Sequence, residues 1–299
     1  MEFNLFQQKE KPQIEKVLVA YLEEQSNSNG TLHQAMHYSL TAGGKRIRPL
    51  LLLATIQALG GEVSQGYEAA AALEFIHTYS LIHDDLPAMD DDDLRRGKPT
   101  NHKVYGEDIA ILAGDGLLTQ AFEILAGSLL PASKKVALIL ALAQAAGPNG
   151  MVAGQVEDME GEDQALSLAA LKAVHEKKTG ELLKFAVYAG GLIAEVSADV
   201  ERLLLDFATH FGLAFQILDD ILDVIGDTKT LGKQTGKDAV LSKSTYPALL
   251  TLEGAKEALR NEITKAKENL RQIEMAYKQA DKELDSQLLF DLLDLLSVQ

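Results

Sequence analysis

The chain contains no cysteine, which excludes disulfides, thiolate catalysis and cysteine-ligated zinc or iron–sulfur centres. Proline is scarce, with 7 in 299 residues and none between Pro148 and Pro247, so the middle of the chain is open to long uninterrupted helices. Strand-like alternation of β-branched residues is also missing. Basic charge is in deficit: the formal net charge is −16. Such a chain repels phosphate backbones and anionic headgroups, so neither nucleic-acid binding nor membrane attachment through a basic patch is expected, and an anionic substrate must be held locally. The start, MEFNLFQQKEKPQIEK, lacks a basic segment followed by an apolar run. No later stretch reads as reaching the roughly 18 apolar residues that span a bilayer. The expectation is a cytoplasmic chain without a membrane anchor.

What the chain does have is alanine and leucine at helical spacing. Hydrophobic residues make up 46% of it, and its length allows about three quarters of the unfolded surface to be buried. Leu50 to Leu59, Ala69 to Leu86, Ile109 to Leu130, Val136 to Ala146, Leu168 to Ala189 and Val200 to Ile225 repeat apolar residues every three and four positions and read as helices. Breaks fall at Asn27 to Gly30, Gly60-Gly61, Arg96 to Pro99, Pro131, Gly147 to Gly150 and Gly226 to Gly236. The 45 residues after Gly254 hold neither glycine nor proline and alternate charged with apolar positions, as an amphipathic helix or helical hairpin does. No linker separates the halves. The expected fold is all-α, one antiparallel helical domain over residues 1–299.

Two aspartate clusters stand out against this background. In Asp219-Asp220-Ile221-Leu222-Asp223, the outer acids are four apart and share one helix face, and their apolar neighbours imply a half-buried wall of hard oxygen ligands that suits Mg²⁺. Alone, such a motif is more often a solvated acidic face. The first cluster runs from Asp84 to Asp93, with Pro87 inside it. Asp84 and Asp90, six apart, share no face of a continuous helix, so joint ligation requires the chain to bend after Leu86. The run lacks the acid spacing, central glycine and terminal glutamate of a calcium loop. Arg95 and Arg96 follow at once, and a metal bridging to phosphate with arginines completing the shell accounts for both signs.

Further cations lie in Gly43-Gly44-Lys45-Arg46-Ile47-Arg48-Pro49, a glycine turn at a helix start carrying Lys45 and Arg48 three apart. His77, Ser80 and Asp84 share a helix face by spacing. HEKKTG at 175–180 and LGKQTGKDAVLSKSTYP at 231–247 add lysines, the latter just after the second acid cluster. Singly, each of these segments is more readily ordinary surface.

Together, GGKRIRP, HTYSLIHDDLPAMDDDDLRRGKPTNH, GQVED, KKTG, FQILDDILD, LGKQTGKD and KSTYP resemble the trans-prenyl diphosphate synthases, the farnesyl-producing bacterial type above all. The resemblance implies a helical bundle around a deep cavity, a homodimer, and a Mg²⁺ cluster held by Asp84, Asp85 and Asp90 facing Asp219, Asp220 and Asp223. It assigns Arg95, Lys178, Lys233 and Lys243 to an allylic diphosphate, and Lys45, Arg48, His77 and Arg96 to isopentenyl diphosphate. Thr179 and Gln216 would line the reacting centre, with Lys178 and Lys233 also serving the chemistry. It further implies that Tyr79, next to Ser80, caps the tunnel for the growing chain, giving a fifteen-carbon product. Geranyl or geranylgeranyl diphosphate synthases differ only in pocket depth. A terpene cyclase would not need the isopentenyl site, and a noncatalytic partner subunit would not need both intact motifs. The C-terminus, DLLDLLSVQ, lacks the basic tail of some relatives.

Overall fold

The computed structural model describes residues 2–23, 30–162, 164–225 and 244–297. Its elements are helical apart from one short ribbon. Helix α1 (Phe3–Glu23) buries Phe3, Phe6, Glu10, Ile14, Leu18 and Leu22, the three-and-four spacing of a single buried stripe. Helices α3 (Ile47–Ala58) and α4 (Tyr67–Asp84) differ: Leu50 to Ile56 and Ala69 to Ile76 are buried on every side. These two are therefore the centre of the bundle, packed on each other and on α10 (Glu181–Ile193). Gly190 permits that contact, since a Cβ there would lie 2.6 Å from Thr55 Cβ and 2.9 Å from the Leu52 carbonyl.

Around this centre lie α2 (Thr31–Leu40), α5 (Asn101–Tyr105), α6 (Glu107–Gly127), α7 (Ala132–Ala146), α8 (Met151–Glu160) and α9 (Leu168–His175). The Ser167 hydroxyl caps α9 by accepting from Ala170 N. A single π-helical turn, Glu176–Gly180, joins α9 to α10 without a break. Helix α11 (Ala198–Ile225) packs along α12 (Tyr246–Gln279), which is kinked at Thr251 where φ is 69°, and α13 (Gln287–Asp294) returns against α3 and α1. The Gly- and Pro-free tail is thus the expected helical hairpin, fastened by Asp285 N to the Ala58 carbonyl and Phe3 N to Asp291 Oδ2, both 2.9 Å.

One expectation gains detail and another needs correction. The arginine loop forms a small antiparallel ribbon, β1 (Leu94–Arg95) and β2 (Lys98–Pro99), closed by Arg96 and Gly97 with φ of 55° and 75°. Positive φ at both central residues is the two-residue hairpin turn that matches strand twist. The sequence also read as holding no apolar stretch of bilayer-spanning length. Yet Glu107–Gly127, and Ala132–Glu160 across α7 and α8, each contain an 18-residue window with mean hydropathy 1.5. Only part of this apolar surface serves packing: Ala110, Ala113, Leu117 and Ala121 of α6 are buried where it lies against α4 and α2, and Ile111 and Leu112 are exposed.

Candidate active site

The first acidic wall is the end of α4. Asp84 is its last residue, and the chain then folds back on itself: Met89 N and Asp91 N bond to the Leu86 carbonyl at 2.9 and 3.2 Å, and Asp90 N bonds to the Asp84 carbonyl at 2.9 Å. The bend after Leu86 that joint ligation would require is present, and it returns Asp90 N to the Asp84 carbonyl. Asp84 accepts a hydrogen bond from Gln155 Nε2 at 2.5 Å. Asp85 is buried and accepts from Arg95 Nε and Nη2 at 2.8 and 2.5 Å. Burial pushes the Asp85 carboxyl up to about 6 even with Arg95 beside it, whereas Arg95 is raised because its pair with Asp85 outweighs its own desolvation.

Beside this wall stand the cations of the glycine turn and ribbon. Arg48 lies 3.4 Å from His77 Nε2. Burial first, and then Arg48, Arg96, Arg46 and Arg95, hold His77 well below the ordinary histidine range, so the ring is neutral at pH 7. Arg48 is itself lowered to about 10, chiefly by burial and also by Arg96. Arg96 donates to the Gly43 carbonyl and lies flat on Gly44, where a Cβ would sit 2.7 Å from the guanidinium carbon. Lys45 is exposed.

The residue between Lys45 and Arg48 was not anticipated. Arg46 has left-handed backbone, φ 54°, and turns inward, where it pairs with buried Glu74 at 2.5 Å and donates to the Leu40 carbonyl at 2.7 Å. It fixes the turn and leaves its basic neighbours for a ligand. The signal was Glu74, an acid inside the apolar run of α4.

The second wall is the end of α11. Asp220 and Asp223 are buried and Asp219 half-buried. Asp220 Oδ2 accepts from Tyr246 N at 2.8 Å, at the start of α12, and lies 3.5 Å from His175 Nε2, whose ring stacks on Tyr246 with centroids 5.9 Å apart. The motif did not announce this anchoring duty. Burial and nearby Glu262 and Asp220 raise the Tyr246 phenol.

Helix α8, quoted from the sequence as GQVED but given no role, links the two walls. Gln155 holds Asp84, Glu157 pairs with Lys177, and Asp158 pairs with Lys178 at 2.7 Å. Gly154 lets α8 approach the π turn so closely that a Cβ would lie 2.2 Å from Lys178 N. Thr179 is buried in that turn, and His175, just before it, touches Asp220. Gly212 of α11 packs on Gly180, with Gln216 one helical turn further toward Asp219. The structure therefore gathers Asp84, Asp85, Asp90, Lys178, Thr179, Gln216 and Asp219 to Asp223 on connected elements. Lys233 and Lys243 lie outside the described residues. Ser80 bonds the His77 carbonyl within its own helix at 2.9 Å.

Among the described residues, no three His, Asp or Glu side chains converge into a ready-made metal cage. Two carboxylate walls, at the ends of α4 and α11, with flanking arginines and lysines stand in an all-helical bundle. The polyprenyl synthetase family model matches residues 29–280. The chain is 54% identical to farnesyl diphosphate synthase of Geobacillus stearothermophilus over 89% of this chain and 90% of that one. It is 46% identical to the Bacillus subtilis (strain 168) farnesyl diphosphate synthase over 97% and 95%. A geranyltransferase from Helicobacter pylori, solved with magnesium and isoprenyl diphosphate, superposes with a TM-score of 0.83 at 33% identity, covering 98% of this chain and 95% of that one. The chain belongs to the polyprenyl synthetase family.

Proposed function

We propose that this enzyme condenses isopentenyl diphosphate with dimethylallyl and geranyl diphosphate to give farnesyl diphosphate and pyrophosphate. The observation that carries the reading is the pairing of Asp85 with Arg95 of the ribbon, beside Asp84, which is linked through Gln155 of α8 to Lys178 and so to the Asp219–Asp223 wall. Asp84, Asp85, Asp90, Asp219, Asp223 and the second oxygen of Asp220 would hold Mg²⁺, whose Lewis acidity neutralises a departing pyrophosphate. Arg95 and Lys178 take the allylic diphosphate, joined by Lys233 and Lys243. Lysine 178 exchanges Asp158 for the diphosphate as it does so. Lys45, Arg48, neutral His77 and Arg96 take isopentenyl diphosphate. The Thr179 hydroxyl and the Gln216 amide present oxygen dipoles to the allylic cation. The released pyrophosphate accepts the proton lost after the new carbon–carbon bond forms.

Tyr79 sets product length in this reading. It is buried on α4, a little over one turn before Asp84, and burial raises its phenol to about 12, so it stays a neutral wall. Two further parts of the proposal concern the whole protein: a cytoplasmic location without a membrane anchor, and a homodimer. Ile111 and Leu112 of α6 with Val136 and Leu140 of α7 are exposed apolar side chains on adjacent helices, a surface that a second copy would cover.

The decisive test is incubation with isopentenyl and geranyl diphosphates, with and without Mg²⁺, followed by chromatography of the dephosphorylated products. Magnesium-dependent farnesol is expected. No condensation with either allylic substrate would overturn the reading, and twenty-carbon alcohol as the main product would overturn the Tyr79 assignment. Light scattering should give twice the 32.4 kDa chain mass; a monomer would remove the dimer.

A further inference from the structure

Nothing in the reaction as set out above uses His83, yet the structure ties its ring to a neighbouring helix. His83 lies one residue before Asp84, near the end of α4. Its Nε2 is 3.0 Å from the Ile111 carbonyl of α6, so Nε2 carries the proton and donates. That carbonyl belongs to the ladder of α6, and its second lone pair serves the histidine. Asp115 Oδ1, one turn further along α6, lies 3.9 Å from the same nitrogen.

The ring occupies this place only because residue 114 is glycine. A Cβ at Gly114 would stand 2.1 Å from His83 Nε2, 2.5 Å from Cδ2 and 2.9 Å from Cε1, distances no pair of unbonded atoms tolerates. Gly114 is helical and needs no unusual backbone; what it supplies is the space for an imidazole laid across α6. On its other side the imidazole meets Tyr79, one turn earlier on α4. The two rings are edge to face, with centroids 5.7 Å apart and planes at 77°. This is the favoured arrangement of two aromatic quadrupoles. Tyr79 is buried.

We propose that His83, seated on Gly114 and tied to the Ile111 carbonyl, is a positioning residue for product length: it fixes the ring plane of Tyr79 and so the depth at which chain growth stops. The inference rests on Tyr79 as the cap. The chain-length limit is then a three-residue stack crossing two helices, Gly114 under His83 under Tyr79. Two of its members touch no substrate. It also couples length control to the first acidic wall, because His83 and Asp84 are consecutive.

The experiment compares Y79A, H83A, H83F, H83Q and G114A by product chromatography with geranyl diphosphate, isopentenyl diphosphate and Mg²⁺, with thermal unfolding to confirm folding. H83A should raise the ratio of twenty-carbon to fifteen-carbon product roughly tenfold, the change expected from losing one edge-to-face contact and one hydrogen bond. H83F keeps a ring without the tether and H83Q keeps the tether without the ring, so both should fall between H83A and the parent. G114A should shift the ratio in the same direction as H83A. If it does not fold, H83F and H83Q carry the test. A purely structural role for His83 would lower thermal stability and total turnover while leaving the product ratio untouched. A ratio unchanged in H83A while Y79A lengthens the product overturns the inference and leaves the Tyr79 reading standing. A ratio unchanged in Y79A itself removes both.

Discussion

At the scale of single residues, the site is built by charges that are paired before any substrate arrives. Arg46 and Glu74 are the most buried such pair, with side chains 1% and 2% exposed. Glu15 Oε1 stands 3.4 Å from Arg46 Nε as a weaker second partner. Removing one member of a buried pair costs more than the pair contributes, because the other charge is left in a low-dielectric interior. E74A should therefore lower unfolding stability by roughly 3 kcal/mol, the low end for such pairs given the help of Glu15 and the Leu40 carbonyl. Urea denaturation measures this, and a loss below about 1 kcal/mol would show that Glu15 or water replaces Glu74. His77 makes a related point about charge. Buried among arginines, it is neutral across the physiological range and so contributes as a hydrogen-bonding ring, where a positive group would add to the local repulsion.

At the scale of elements, glycine sets where helices can meet. Gly154 brings α8 against the π turn, Gly190 brings α10 against α3, and Gly212 brings α11 against Gly180. Of these, Gly154 lies nearest the chemistry. In G154A the new methyl would be 2.2 Å from Lys178 N, a backbone atom that cannot rotate away. Overpacking of this kind costs roughly 1–3 kcal/mol. It should also displace Lys178 and Thr179, so kcat/KM for the allylic substrate should fall by about tenfold or more, as a 1 Å misplacement does. Steady-state kinetics with thermal unfolding check both; normal kinetics would mean that α8 and the turn separate without consequence. The π turn is itself an element-scale device. One residue wider than an α turn, it carries Glu176 to Gly180 and lets α9 and α10 share an axis while His175 faces Asp220 and Lys178 faces Asp158.

At the scale of the whole molecule, α11 and α12 form the long pair that supports the second acidic wall, and a partly buried contact between His210 and Glu262 joins them. His210 Nδ1 lies 2.6 Å from Glu262 Oε2, and Lys265 bonds the other oxygen at 2.7 Å. Burial opposes the Glu262 charge, but these two partners more than offset it and hold the carboxyl at about 2, below its ordinary 4.5. A carboxylate depressed in the folded state adds stability above its unfolded value, and that stability is lost as pH falls toward the folded value. Unfolding stability should thus decline between about pH 4.5 and pH 2, and E262Q should be less stable at neutral pH with a flatter acid limb. A parallel acid limb in E262Q would assign the loss to other carboxylates. Much of this architecture was legible in the chain itself. Scarce proline, absent cysteine and apolar spacing at three and four dictated helices, because those are local properties of the backbone and its side chains. The two aspartate motifs with their arginines and lysines suggested a magnesium ion and a phosphate, the resemblance added the diphosphates, and joint ligation by Asp84 and Asp90 called for a bend after Leu86. Tertiary structure decided which like residues play unlike parts. It turned Arg46 inward to Glu74 while Arg48 faces His77, engaged Asp220 with Tyr246, and set Gln155 on Asp84 and His83 on Gly114. Each of those pairings joins residues 26 or more positions apart. Local spacing has no power to choose such partners; only the packing of whole helices brings them within reach.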